Sequence, residues 1–376
     1  MTNYIFIKIF YTEVDCRMKF STAKIQINLK SIKNNYLFLK QYCKKSEVAA
    51  MVKASSYGLG GKNKIVHLLR SLKCNNFFVA NLNEAITIRK KFNDINIYVL
   101  NGLNKNEENI FFKNNIIPVL NTYDQLCIGI GYLKNNYNKK LVIHVDTGMN
   151  RLGFQDYDVK KLIKHKKILS KFKNILFMSH LACSEDKKNQ YNKIQKQKFD
   201  ALKKEFPNYK YSLAASGGIF LGKEYHYDMV RPGIALYGGK LQFHKKLKHV
   251  VSLKAPIIQI SEVPKNSYFG YSNLYKAKKN ITSATICVGY ADGIGIRLTN
   301  KGFAMFGSKK LPMIGRISMD LIILDVTKIK KKIKVGNFVE IFNNDLTIDK
   351  FAKISDTIPY RIITSTSQRF EKIYLK

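Results

Sequence analysis

Tryptophan is absent from this 376-residue chain, proline occurs only seven times, and aspartate plus glutamate number 26 against 65 lysines and arginines. Two further absences bear directly on function. No run of about eighteen consecutive apolar residues occurs, so no membrane-spanning helix is expected. The six cysteines, Cys16, Cys43, Cys74, Cys127, Cys183 and Cys287, show no CxxC spacing. That scatter argues against a zinc site or a disulfide framework and for free thiols in a reducing compartment.

The shortage of acids leaves a formal net charge of +39, which ordinarily points to nucleic acid or an anionic membrane. Here the lysines run along the whole length and accompany abundant Asn, Ile, Tyr and Phe, a set favoured by A/T-rich codons. The charge is therefore read as base bias, with neither nucleic acid nor a membrane as partner. What it leaves is faster encounter with anionic metabolites at low salt. With 45% hydrophobic residues the chain is no disordered tail, and its length suits one large barrel plus a smaller module. Residues 1–17, MTNYIFIKIFYTEVDCR, precede a second methionine, Met18, and lack both a basic start and a small-residue cleavage site. They are expected to be a non-essential extension, not a secretory signal.

What is present centres on residues 49–61, AAMVKASSYGLGG. An apolar strand delivers Lys53 at its carboxyl end and then breaks into a glycine-rich turn. Lysine is rarely buried unless paired or covalently engaged, and a desolvated lysine becomes a nucleophilic amine. On these residues alone, a lysine snorkelling from a strand end is the favoured reading.

The surrounding chain alternates helical patterns with short apolar runs. Eight such runs begin near residues 47, 77, 95, 116, 141, 175, 211 and 227, in steps averaging about 26 residues, the size of a strand-loop-helix unit. This predicts a (β/α)8 barrel over residues 18–247, whose chemistry would sit at the carboxyl ends of the strands. A doubly wound sheet competes, but no GxGxxG follows the first strand. Polar residues stand at those ends: Lys53, His144, Asp146, His180, Ser216 and Arg231. From about Lys248 the texture changes to strand-like alternation, so a second, mostly β domain is expected over residues 248–376.

Nine segments in order, MVKASSYGLG, HVDTGMNRLGF, MSHLACSE, AASGG, MVRPGIALYG, FGYSNLYKA, VGYADG, GRISMD and IPYR, resemble the alanine racemases. These are pyridoxal-phosphate enzymes with a barrel followed by a β domain. The resemblance spans Met18 to the carboxyl end and implies residue roles. Lys53 would hold the cofactor as an imine and act as a base on one face of the substrate's alpha carbon. Tyr271 would be the base on the other face, contributed by a partner subunit. A phenol is a poor base at its usual pKa of about 10, and the resemblance implies that His180 and Arg231 help favour its anion.

Arg231 would also donate to the pyridine nitrogen and keep it unprotonated. Tyr57, Ser216, Tyr360 and the backbone at Gly233 and Ile234 would hold the phosphate. Arg151 and the backbone at Met319 would take the substrate carboxylate. Tyr290 and Asp320 would line the approach, with Tyr290 and Met319 restricting substrate size. Two positions depart from the family pattern: His144 stands where a lysine is common, and Ser212 where a histidine is frequent. The implied protein is a cytoplasmic homodimer interconverting L- and D-alanine for peptidoglycan precursors, without a metal. A racemase of another small amino acid such as serine, or a pyridoxal-phosphate carrier without turnover, are the alternatives.

Overall fold

The computed structural model describes residues 22–60, 63–133, 136–239 and 246–376. The expected extension, residues 1–17, lies outside the described residues. Strand β1 (Lys24–Asn28) leads into the helix Leu29–Tyr42, where the Asn28 side chain accepts from the Ser31 amide at 2.8 Å. Ile32, Tyr36, Leu39 and Cys43 are buried, as their helical spacing predicts.

The chain then alternates between strands and helices. The strands are β2 (Glu47–Val48), β3 (Ala50–Met51), β4 (Asn76–Val79), β5 (Asn96–Val99), β6 (Ile116–Leu120), β7 (Leu141–His144), β8 (Ile175–Met178), β9 (Lys210–Ser212) and β10 (Met229–Val230). β3 to β9 form one parallel sheet in chain order. β2 is separated from β3 only by Ala49 and pairs in parallel with β10, Met229 opposite Glu47. Ala49 N–H donates to Val230 O at 2.9 Å, and Arg231 N–H donates to Ala214 O at 2.9 Å beyond β9. Those contacts close the ring, so the eight apolar runs become eight barrel staves. Every residue of β4, β6, β7 and β8 is buried, which is why these strands read as continuous apolar runs rather than alternating ones.

The second part contains β11 (Val251–Val263), β12 (Tyr268–Phe269), β13 (Tyr275–Lys276), β14 (Ile281–Ile286), β15 (Phe303–Phe306), β16 (Lys309–Pro312), β17 (Ile322–Asp325), β18 (Phe338–Phe342) and β19 (Glu371–Leu375). Its main sheet runs β16-β15-β18-β11-β1-β19, with β14 and β17 branching from β11. The branch begins where the β11 register shifts between Ile257 and Gln259.

One strand corrects the expected division. β1, placed with the barrel by its position after Met18, pairs antiparallel with β11 and parallel with β19. Its alternation buries Ile25 and Ile27, but a five-residue pattern cannot say which sheet receives that face. The chain therefore starts and finishes in the same β sheet, with the barrel between. One contiguous core includes Phe77 of the barrel and Leu253 and Phe342 of the β sheet, while Phe269, Ala277, Ile281 and Ile314 form a small separate cluster. Cys43, Cys74, Cys127, Cys183 and Cys287 are free thiols, and among the described residues no helix is long and apolar enough to cross a membrane.

Candidate active site

Lys53 follows β3 at the barrel mouth and opens a turn that the sequence does not announce. Ala54, Ser55, Ser56 and Tyr57 carry φ of 51°, 52°, 53° and 59°, one turn of left-handed helix built from residues other than glycine. Each such residue costs about 1–2 kcal/mol relative to a right-handed turn, so the surroundings must impose the geometry. Local hydrogen bonds help: Ser56 N–H to Val52 O at 2.8 Å, Gly58 N–H to Ala54 O at 2.7 Å and Gly60 N–H to Ser55 O at 2.6 Å. Gly58 ends the turn at φ +80°, pressed so closely on the helix Pro359–Thr364 that a Cβ would lie 2.6 Å from Ile363 O.

The Lys53 amine is half-buried. Burial lowers its pKa, Arg151 lowers it further, and Glu84 opposes them in part. A strand-end lysine that merely snorkels would keep its ammonium in water.

His180, after β8, senses the charges of Arg231, Arg151 and Lys53 and lies beside His144. Residues delivered by β3, β7, β8 and β10 thus meet at one mouth. Burial first, then Arg231, lowers both His180 and His144 to about 3, so both imidazoles are neutral at physiological pH.

Arg231 is 3% exposed, and its guanidinium is fixed from two sides. Nη1 donates to Ser212 O at 2.9 Å and Ser212 Oγ at 2.7 Å, while Nη2 donates to Ser179 O at 2.6 Å. Ser212 Oγ in turn donates to Met229 O at 2.7 Å. The serine found where a histidine is frequent therefore still orients the arginine. Burial lowers Arg231 to about 9, leaving it a cation at neutral pH. Among the described residues no hydrogen bond uses its Nε, so one donor of this buried cation is uncommitted.

The second departure, His144, is held by a residue that sequence reading missed. Asn121 Nδ2 donates to Leu100 O at 3.0 Å and Val119 O at 2.9 Å, which turns Asn121 Oδ1 toward His144 Nδ1 at 2.9 Å. With that acceptor in front of it, Nδ1 must carry the proton, and Nε2 keeps its lone pair. Nothing in the local sequence around Asn121 marks it, because its partner lies 23 residues away.

Asp146 shapes the loop that presents Arg151. Its carboxylate accepts from the amides of Gly148 at 2.7 Å, Met149 at 2.8 Å and Arg151 at 3.1 Å. Burial alone would raise its pKa, but these backbone donors outweigh it and hold the carboxyl below its ordinary range.

A cradle lies between the Lys53 turn and the segment after β10. Ser216 Oγ accepts from Gly233 N–H at 2.8 Å and Ala235 N–H at 3.2 Å, and Ile234 is buried beside it. Tyr57 packs against Tyr237, with ring centroids 4.8 Å apart, and faces Tyr360 at 6.2 Å. Burial raises all three phenols, which keeps them neutral hydrogen-bond donors. Tyr237, also unforeseen, donates to Met51 O at 2.9 Å and props the strand carrying Lys53. Gly233 has no room for a side chain, since a Cβ would collide with the Tyr57 hydroxyl.

Tyr271, Tyr290, Met319 and Asp320 stand on the β part. Tyr271 is 68% exposed, Met319 53%, and Leu274 and Tyr290 are exposed as well, so within this chain Tyr271 faces solvent. Tyr290 N–H bonds Ser318 O at 3.0 Å and Ala291 N–H bonds Met319 O at 3.0 Å, which joins the Tyr290 and Met319 turns. Asp320 is paired with Arg369 Nη1 at 2.8 Å, and Arg369 Nη2 reaches Asp292 at 2.8 Å. Arg369, unmarked in the sequence, thus ties both turns to the end of the chain.

Two family models match the chain: "Alanine racemase, N-terminal domain" over residues 27–241 and "Alanine racemase, C-terminal domain" over residues 250–374. A protein named alanine racemase from Rickettsia canadensis is 41% identical over 360 residues, covering 95% of this chain and 100% of the relative. Among solved structures, alanine racemase from Bartonella henselae with covalently bound pyridoxal phosphate is similar at a TM-score of 0.90 and 37% identity, covering 94% of this chain and 99% of its own. Alanine racemase from Acinetobacter baumannii gives a TM-score of 0.84 at 28% identity, with 94% and 99% covered.

Proposed function

This chain belongs to the alanine racemase family and interconverts L- and D-alanine with pyridoxal phosphate; we propose that Lys53 holds the cofactor and that Tyr271 of a second copy is the opposing base. The observation that carries this reading is the convergence of Lys53, His144, Arg151, His180 and Arg231 on one barrel mouth. Three features fit the cofactor. The half-buried Lys53 amine suits its aldehyde, the uncommitted Arg231 Nε suits its ring nitrogen, and the Ser216, Gly233 and Tyr57 cradle suits its phosphate.

Once bound, the cofactor supplies an electron-withdrawing ring that acidifies the alpha C–H of the attached substrate amine. The remaining work falls to side chains. Arg151, on the loop held by Asp146, receives the substrate carboxylate together with the backbone at Met319. The Lys53 amine would hold or move a proton on one face of the alpha carbon, and the Tyr271 hydroxyl of a second copy would do so on the other. One base alone would return the proton to the face it left. Arg231 has only donors, so a ring nitrogen held beside it would have to accept and would stay unprotonated. Tyr57, Tyr360 and the Ile234 amide would donate to the phosphate, and the Gly233 amide, which meets Ser216 Oγ at 2.8 Å here, would turn to join them.

The exposure of Tyr271, Met319, Tyr290 and Leu274 supports a homodimer in which each subunit completes the other's site. Supply of D-alanine for peptidoglycan precursors, in the cytoplasm, follows as the proposed setting. Tyr290 and Met319 are assigned to restrict the substrate side chain to about the size of a methyl. A racemisation assay should therefore rank L-alanine first, L-serine lower and larger amino acids near background. Equal rates on a branched or aromatic amino acid would remove Tyr290 and Met319 as the size limit.

Gly233→Ala offers a second check, because its new methyl group would displace the Tyr57 hydroxyl. Overpacking of this kind should weaken cofactor retention by about tenfold or more. Titration of the apoenzyme with pyridoxal phosphate measures it, and wild-type affinity would exclude this cradle as the phosphate site.

A further inference from the structure

The turn that carries Lys53 is gripped from the far end of the chain. Lys372 Nζ donates to Gly58 O at 2.6 Å, and Tyr374 Oη donates to Leu59 O at 2.6 Å. The two residues are two apart on β19 and so share one face of the strand. Their side chains meet consecutive carbonyls more than 300 positions earlier in the chain. β19 is itself anchored by backbone pairing to β1, Lys372 opposite Ile25 and Tyr374 opposite Ile27. The Lys64 ammonium sits 4.3 Å above the Tyr374 ring, so the helix that follows the loop also leans on this strand. From the other side, the helix Pro359–Thr364 abuts Gly58 and brings Tyr360 to Tyr57.

The grip has a physical purpose. Four consecutive left-handed residues persist only where neighbours over-determine them, and hydrogen bonds within the turn do not by themselves select its hand, since a right-handed turn forms equivalent ones. Lys372 gives up part of its hydration to reach the carbonyl, since burial lowers its pKa. Both ends of the turn are functional: Lys53 opens it and Tyr57 closes it.

We propose that Lys372 and Tyr374 are positioning residues for the racemisation, acting through the Gly58 and Leu59 carbonyls to hold the left-handed turn. The turn in that shape sets where the Lys53 amine stands relative to the Tyr57 hydroxyl and the Ser216 cradle. This rests on Lys53 being the cofactor-bearing lysine.

The test uses the holoenzyme with Tyr374→Phe, Lys372→Met, their combination and the conservative Lys372→Arg. Tyr374→Phe removes only a hydroxyl and Lys372→Met only an ammonium, so the backbone pairing of β19 is left in place. Loss of one such hydrogen bond should raise the cofactor dissociation constant about five- to tenfold, and loss of both more. Amide hydrogen exchange should quicken at residues 54–59 and stay slow in β19 and β1. Turnover should fall with little change in KM, and Lys372→Arg should recover most of it. Wild-type cofactor affinity and exchange in the double variant would overturn the proposal. Exchange rising equally in β19 and β1 would overturn it too, since the contacts would then hold the strand and not the turn. Lys53→Ala is the separate arm: visible cofactor absorption surviving there would defeat the underlying assignment whatever the β19 variants do.

Discussion

Lys53→Ala should abolish the visible absorption of bound pyridoxal phosphate and lower racemisation by roughly ten-thousand-fold, the upper range for loss of a proton-transfer group. The size follows from what else stands in the mouth. Arg151 and Arg231 are guanidinium cations, and His144 and His180 are imidazoles lowered by burial to about 3. None offers a primary amine that can condense with an aldehyde. Lys53 alone among these five does, and burial together with Arg151 shifts it toward the reactive neutral form. Added methylamine should restore part of the absorption and part of the rate, because a free amine can occupy the vacated position. Retention of the absorption without added amine would mean that another lysine carries the cofactor.

Tyr271→Phe should behave differently, keeping the cofactor absorption while losing about a thousandfold in racemisation. The ring is 68% exposed in its own chain, so removal of the hydroxyl leaves no buried group unsatisfied and folding should be unaffected. Mixing this variant with Lys53→Ala then tests whether the site is shared. In a two-fold dimer after subunit exchange, half the molecules are mixed and each carries one intact site, so about a quarter of wild-type activity should appear. Absence of recovery, with exchange shown by a tag on one partner, would place Tyr271 and Lys53 in sites that do not combine. Unchanged turnover in Tyr271→Phe alone would eliminate it as the second base.

The barrel was legible in the sequence because its signal is local. Most staves are short apolar runs, four of them (β4, β6, β7 and β8) buried along their whole length, and turn residues separate the runs at a regular step. Lys53, His144, His180 and Arg231 were legible for the same reason, since each is a polar residue at the end of an apolar run. Their convergence follows from the barrel once the staves are placed. The lysine excess carried no comparable local signal, because it is spread along the chain.

What only the tertiary structure decided depends on groups far apart in sequence. The AAMVKASSYGLGG stretch reads as a glycine-rich turn, yet its left-handed geometry rests on four non-glycine residues. Contacts from Ile363, Lys372 and Tyr374 surround that geometry. The strand β1 was placed with the barrel and belongs to the β sheet, because alternation states which face is buried and not against what. The proton on His144 depends on Asn121, whose amide is oriented by the carbonyls of Leu100 and Val119. Periodicity and strand-end chemistry come from neighbours along the chain and determined the barrel and the polar residues at its mouth. Backbone handedness, sheet partnership and tautomer are set by contacts between distant segments, which no local pattern encodes.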